Sequence, residues 1–142
     1  MTKGPIIIVD DDSDDQNTYA ETIKAIGIPN QIKFYSNAQS TLDYLYTTQD
    51  QPFIIISDVN LSRMTGVQMK EVIQADNFLR DKGIPFVFIS TNASPEIVKR
   101  AHQLNVQGFF KKPASDDEFK SMLQLLFDYW ALCRHINNTH TE

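Results

Sequence analysis

The sequence predicts an α/β protein built on one five-stranded parallel sheet. Apolar runs of four recur at Ile6-Ile7-Ile8-Val9, Phe53-Ile54-Ile55-Ile56 and Phe86-Val87-Phe88-Ile89. They show no helical period, which is how strands buried on both faces read. Two mixed runs, Ile32-Lys33-Phe34-Tyr35 and Gly108-Phe109-Phe110, complete a set of strands starting near residues 6, 32, 53, 86 and 108. The intervals carry apolar residues at helical spacing, so the chain alternates strand and helix, the signature of a parallel sheet.

Each element has its own signals. Ser13 with Gln16 forms a capping-box pattern before a helix striped by Tyr19, Ile23 and Ile26, which Gly27 and Pro29 end. Asp12, Asp14 and Asp15 read as the solvated, acidic start of that helix. Asn37 caps a helix carrying Ala38, Thr41, Leu42 and Leu45, and Asp50-Gln51-Pro52 breaks the chain before the third strand. The loop 61–66 precedes a helix with Val67, Val72 and Ile73 that is expected to reach as far as Leu79, and Gly83 and Pro85 punctuate it. Ser94 and Pro95 place an N-cap before a favoured first-turn proline, with Ile97, Ala101 and Leu104 lining the helix. Ser115 with Glu118 opens the last helix, striped by Phe119, Met122, Leu123, Leu126 and Trp130. The wholly apolar strands belong in the middle and the mixed ones at the edges. Right-handed crossovers then give the order 2-1-3-4-5, the flavodoxin-like arrangement, with five helices over both faces.

Size and composition set the frame. A chain of 142 residues defaults to a single domain over residues 1–142, with a core at about 5–133 and a polar tail at about 134–142. Such a chain buries roughly 68–70% of its unfolded surface. The net charge of −5, from 18 acids against 13 bases, argues against a general nucleic-acid binder, which needs a basic face. Cys133 is the only cysteine, so no internal disulfide forms. The apolar runs are too short to span a membrane, and the amino terminus has no leader pattern. A cytoplasmic protein is expected. His102, His135 and His140 lack ligand spacing and are assigned no metal.

Strands of a parallel sheet end on one rim. Asp10 and Asp11, Asp58, Ser90 and Lys112 follow strands 1, 3, 4 and 5 and are therefore expected to converge there. Crowded carboxylates repel one another, and a hard divalent cation relieves that penalty. A carboxylate can also serve as a nucleophile and become an aspartyl phosphate, a transfer that needs a metal and cations around the phosphoryl oxygens.

The ordered set Val9-Asp10-Asp11, Asp58-x-Asn60-x₅-Gly66, Ile89-Ser90-Thr91 and Lys112-Pro113 resembles the receiver domains of bacterial response regulators, of the CheY-like single-domain kind, over roughly residues 5–130. The resemblance implies that Asp58 accepts a phosphoryl group from a sensor histidine kinase or phosphotransfer protein. It implies Mg²⁺ held by Asp11, Asp58 and the backbone carbonyl of Asn60, with Asp10 acting through water. Lys112 would contact the phosphoryl group. Ser90, or the adjacent Thr91, would be the switch hydroxyl, with Phe109 following it. Pro113 would be cis, and Asn60 and Asn92 would lie where phosphoryl lifetime is tuned. Ser62 stands where the family commonly has proline, and Phe109 where tyrosine is frequent. The resemblance implies a signalling module that phosphorylates and slowly dephosphorylates itself, rather than a turnover enzyme, with protein–protein output to a downstream partner.

Other readings fit less well. A haloacid-dehalogenase-type Mg²⁺ phosphohydrolase needs a second acid two residues after the nucleophile, where Asn60 stands. A flavin or nucleotide binder wants a Ser/Thr/Gly-rich loop after the first strand, where Asp10-Asp11-Asp12 stands. A receiver that has lost its chemistry and acts only as a binding module would not need the acid–lysine set. On the last helix, Leu125, Tyr129, Leu132 and Ile136 form a second stripe. It is either the edge of a wide buried face or, joined by Phe109, a contact surface for a homodimer or partner.

Overall fold

The computed structural model describes residues 4–134. It contains strands β1 (Ile6–Val9), β2 (Ile32–Tyr35), β3 (Ile54–Ser57), β4 (Phe86–Ser90) and β5 (Gly108–Lys111), and helices α1 (Ser13–Ala25), α2 (Ala38–Thr47), α3 (Gly66–Ala75), α4 (Asn77–Asp81), α5 (Pro95–Gln103) and α6 (Asp116–Leu132). All strand pairs are parallel and the order is β2-β1-β3-β4-β5, as the apolar runs predict. The central strands β1, β3 and β4 are buried throughout, whereas the edges β2 and β5 are mostly half-buried.

Alternation along each strand divides the core into two layers. Ile7, Val9, Ile55, Phe86 and Phe88 face α2, α3, α4 and α5 through Leu42, Leu45, Met69, Ile73, Leu79 and Ala101. Ile6, Ile8, Ile54, Ile56, Val87 and Ile89 face α1 and α6 through Tyr19, Ile23, Phe119, Leu123 and Phe127. Both layers exist because no position in the central strands is polar before their carboxyl ends. Each fully buried Ile or Phe contributes about 1.5–3 kcal/mol relative to exposure.

Among the described residues there are six helices, not five. The expected run to Leu79 breaks at Asp76, whose backbone leaves the helical region at φ −96° and ψ 118°. Its N–H ends α3 on the Val72 carbonyl, and its side chain caps α4 by accepting from Leu79 N at 3.0 Å. Tyr46 Oη donates to the other carboxylate oxygen at 2.6 Å. An Asp offered three partners outside a helix is better satisfied there than inside one. The apolar stripe runs across the break because Ile73 and Leu79 enter the same layer.

Helix starts also differ in detail. Asp12, not Ser13, caps α1, accepting from Asp14 N at 2.8 Å and Asp15 N at 3.3 Å. Gln16 turns away to donate to the Asp10 carbonyl. A reciprocal capping box does occur, between Thr65 and Gln68 at the start of α3. On α6, Leu125 (71% exposed), Tyr129 (61%) and Leu132 (86%) face outward, so the second stripe is not part of a wide buried face. Ile136 lies outside the described residues.

Candidate functional site

Asp58 follows β3, and its amide donates to the Val9 carbonyl at 2.9 Å, which ties it to the carboxyl end of β1. Its carboxylate accepts from Ser90 Oγ at 2.6 Å and from Asn60 N at 3.0 Å, both on Oδ1. Oδ2 instead faces Lys112 Nζ at 3.7 Å. Lys112 lies nearer two other acids, 2.8 Å from Asp15 and 3.2 Å from Asp10. Its position is set by the β4–β5 ladder, which Lys112 N extends to the Ser90 carbonyl at 2.9 Å. The following bond to Pro113 is trans, as are all peptide bonds among the described residues. The ladder brings Lys112 to the rim one residue past β5, and its Nζ reaches Asp10 and Asp15 with that bond trans.

Four of the expected residues meet: Asp10, Asp58, Ser90 and Lys112. Asp15 joins them, and carboxylate oxygens of Asp10, Asp15 and Asp58 all lie within 4.8 Å of one another. Asp15 therefore does more than start a helix. The Asp12 cap fixes the first turn of α1, and that turn swings Asp15 back over Lys112. The signal available in the sequence was its place one turn into the helix that follows the Asp10 strand end. Asp11 is exposed and stands outside this trio, and Asn60 is exposed on the rim. Thr91 is exposed, so Ser90 is the hydroxyl on Asp58. Asn92 links the two sides, its N–H donating to Ser90 Oγ at 3.2 Å and its amide to Asn60 Oδ1 at 3.2 Å. Phe109 is half-buried, with its ring 5.6 Å from that of Phe88.

The electrostatics are those of an under-compensated anionic pocket. Burial raises the pKa of Asp10, which is 1% exposed. The Asp12 amide and the Lys112 charge oppose the rise, and the charges of Asp58 and Asp15 add to it. Burial works against the Lys112 ammonium too, but the Asp15 hydrogen bond and the charges of Asp10, Asp58 and Asp15 outweigh it and raise the lysine pKa. Three carboxylates against one ammonium leave about two negative charges unmatched. That donor set, all oxygen and partly desolvated, suits a hard divalent cation.

Gly66 is required by the packing. A Cβ there would lie 2.2 Å from the Asp58 carbonyl oxygen and 2.9 Å from the Phe88 ring. The amino end of α3 therefore rests directly on the backbone of Asp58, and Gly66 N also donates to the Val59 carbonyl at 2.9 Å.

Residues 6–124 match the model of the response regulator receiver domain. The chain belongs to that family. Among relatives, the chemotaxis protein CheY of Pseudomonas aeruginosa is 24% identical over 123 residues, covering 87% of this chain and 95% of that protein. The phosphorylated cyanobacterial phytochrome response regulator RcpA superposes with a TM-score of 0.85 at 20% identity, covering 94% of this chain and 99% of that one. The Mn²⁺-bound form of response regulator Rcp1 gives 0.79 at 20% identity, with 92% and 96% covered. At such identities the superpositions establish the fold. Receivers are signalling proteins of two-component systems, bind a divalent metal in an acidic pocket, and meet histidine kinases or phosphotransfer proteins. Among the described residues of this receiver, no helix is long and apolar enough to cross a membrane.

Proposed function

We propose that this receiver accepts a phosphoryl group on Asp58 from a histidine kinase or phosphotransfer protein and signals through the conformational change that follows. The observation that carries the reading is the convergence of Ser90, Lys112 and two further carboxylates on Asp58. Oδ1 already accepts two hydrogen bonds, so Oδ2 is the free nucleophile. Oδ2 attacks phosphorus, the new P–O bond forms as the donor's P–N bond breaks, and the leaving imidazole takes up a proton. Lys112 then neutralises a phosphoryl oxygen and loosens its hold on Asp15. Ser90 Oγ, now on the carboxylate, transfers its hydrogen bond to the phosphoryl group, and Phe109 fills the space its movement opens. Asn60 and Asn92 bracket the path of the hydrolytic water and set the lifetime.

Mg²⁺ is the cation we assign to the pocket, held by Asp11, Asp58 and the Asn60 carbonyl, with Asp10 acting through water. Bound there, it supplies charge neutralisation for the transferring phosphoryl group. The desolvated Asp10 and the unmatched charge support that assignment. The family resemblance brings Asp11 into the set. We take the chain as one domain acting in the cytoplasm, where kinases hold ATP, and acting by its own phosphorylation and slow dephosphorylation. The exposed Leu125, Tyr129 and Leu132 would form a homodimer or downstream contact. A strict monomer by light scattering, with and without beryllofluoride, removes the dimer.

Incubation with acetyl phosphate and Mg²⁺ is expected to add one phosphoryl group, labile to hydroxylamine, by intact-protein mass spectrometry. Asp58→Ala and chelation of the metal should each abolish it. No adduct on the wild type leaves a binding module without phosphoryl chemistry, and an equal adduct on Asp58→Ala places the acceptor at another residue; either result overturns the reading.

A further inference from the structure

The far end of the sheet carries a second charged feature that the phosphoryl site does not use. Lys70, on α3, is only 6% exposed. Among the described residues no carboxylate lies within ion-pair distance of its Nζ, which sits 5.3 Å from the centre of the Phe86 ring. Lysines are rarely buried unless paired, and burial alone lowers the pKa of this one. A cavity of about 220 Å³ opens beside it. The cavity lies at the amino ends of β3 and β4, and Leu79 and Arg80 of the extra helix α4 help to wall it.

The lining is one-sided in charge. Lys70, Arg80 and Lys82 contribute cations, and among the described residues no Asp or Glu contributes. The floor is apolar, formed by Ile55, Ile73, Ile84 and Phe86. Gln107 offers little competition for a ligand, since its carbonyl oxygen already accepts from Phe86 N at 2.7 Å. We propose that this cavity binds a small amphipathic monocarboxylate, with its apolar body on Ile55 and Phe86 and its carboxylate on Lys70. The Lys70 ammonium, set over the Phe86 ring beside the cavity, matches one negative charge. A phosphate dianion would need several convergent donors, but Arg80 already donates to the Gln74 carbonyl and Asn77 Oδ1 and Lys82 Nζ lies over the Phe78 ring; an uncharged ligand would leave Lys70 without a carboxylate. The pocket thus follows the usual division into an apolar wall and a few orienting polar groups.

Benzoate and hexanoate are suitable probes, with benzyl alcohol as the uncharged comparison, each titrated into ¹⁵N-labelled full chain. Both carboxylates are expected to give saturable amide shifts at Lys70, Leu79 and Phe86 in the millimolar range. Lys70→Met keeps the volume and the helix but removes the charge, and should weaken carboxylate binding at least tenfold while leaving benzyl alcohol unchanged. Ile84→Trp fills the cavity from its apolar floor with Lys70 intact, and should abolish binding of all three. The proposal is overturned if neither carboxylate shifts these amides. It is also overturned if both variants bind carboxylate like the wild type. Should Lys70→Met fail to fold, binding that survives Ile84→Trp still refutes the site.

Discussion

Gly66→Ala is expected to lower the stability of the receiver by about 1–3 kcal/mol, the usual cost of overpacking, and to disable the phosphoryl site at the same time. The added Cβ would clash with the Asp58 carbonyl oxygen, and no side-chain rotation can relieve it, because the oxygen is backbone and the backbone fixes the place of Cβ. Either α3 lifts from the sheet or the peptide of Asp58 moves. The first choice strips Met69 and Ile73 from the core. The second disturbs the carbonyl that Ser57 Oγ holds at 2.8 Å and drags the carboxylate away from Ser90 and Lys112. Displacement of a reacting group by 1 Å can cost on the order of 10²-fold in rate, so phosphorylation by acetyl phosphate should slow by about that factor. Gly108→Ala is the control, since its Cβ meets only ordinary contacts at 3.7 Å or more. It should be neutral or stabilising by about 0.4–1 kcal/mol. Urea midpoints at unchanged slope measure both. Equal midpoints for the two variants would show that the start of α3 yields freely.

The rim was legible because of one geometrical fact. In a parallel sheet the residue after each strand faces the same edge, so Asp10, Asp58, Ser90 and Lys112 could be placed together before any coordinates. The strand order followed from which runs were wholly apolar. Asp15 was harder to read, because its role depends on Asp12 capping the helix in place of Ser13, a competition among neighbouring acceptors that spacing does not decide. The break at Asp76 was hidden for the opposite reason: the apolar period continues across it, since α3 and α4 serve one layer. Thr65-x-x-Gln68 was a readable capping box, hidden because the loop 61–66 reads as running to the glycine, whereas α3 starts there. Lys70 carries a charge, and stripe-reading counts charged residues as solvent-facing, so nothing in the pattern marks it as buried. In each case the missing information is a contact between segments distant in sequence, or a choice between equivalent local partners.

Asp10→Asn should raise the melting temperature of the metal-free receiver near neutral pH and remove its stabilisation by Mg²⁺. Asp10 is buried, and the net effect of its surroundings is to raise its pKa above the ordinary 3.8. A carboxyl group in that state holds its proton more tightly when folded than when unfolded. Its contribution is therefore most favourable at pH below the unfolded value, and declines as pH climbs through the folded value. At neutral pH, without metal, the ionised group is a net burden. Asn removes the charge and can still accept from the Asp12 amide, which now donates to Oδ1 at 3.0 Å. Lys112 keeps Asp15 and Asp58 as partners, so the variant leaves it paired. Lys112 titrates at the other end of the scale. Its raised pKa contributes stability that is complete below the ordinary 10.5 and fades as pH rises through the folded value. Melts from acid to neutral pH should thus show the metal-free wild type losing stability that Asp10→Asn retains. Adding Mg²⁺ at 100 times its dissociation constant should return about 2.7 kcal/mol to the wild type and much less to the variant. A lower melting temperature for metal-free Asp10→Asn at neutral pH would mean that the attraction of Lys112 outweighs desolvation. An undiminished response to Mg²⁺ would place the cation away from Asp10.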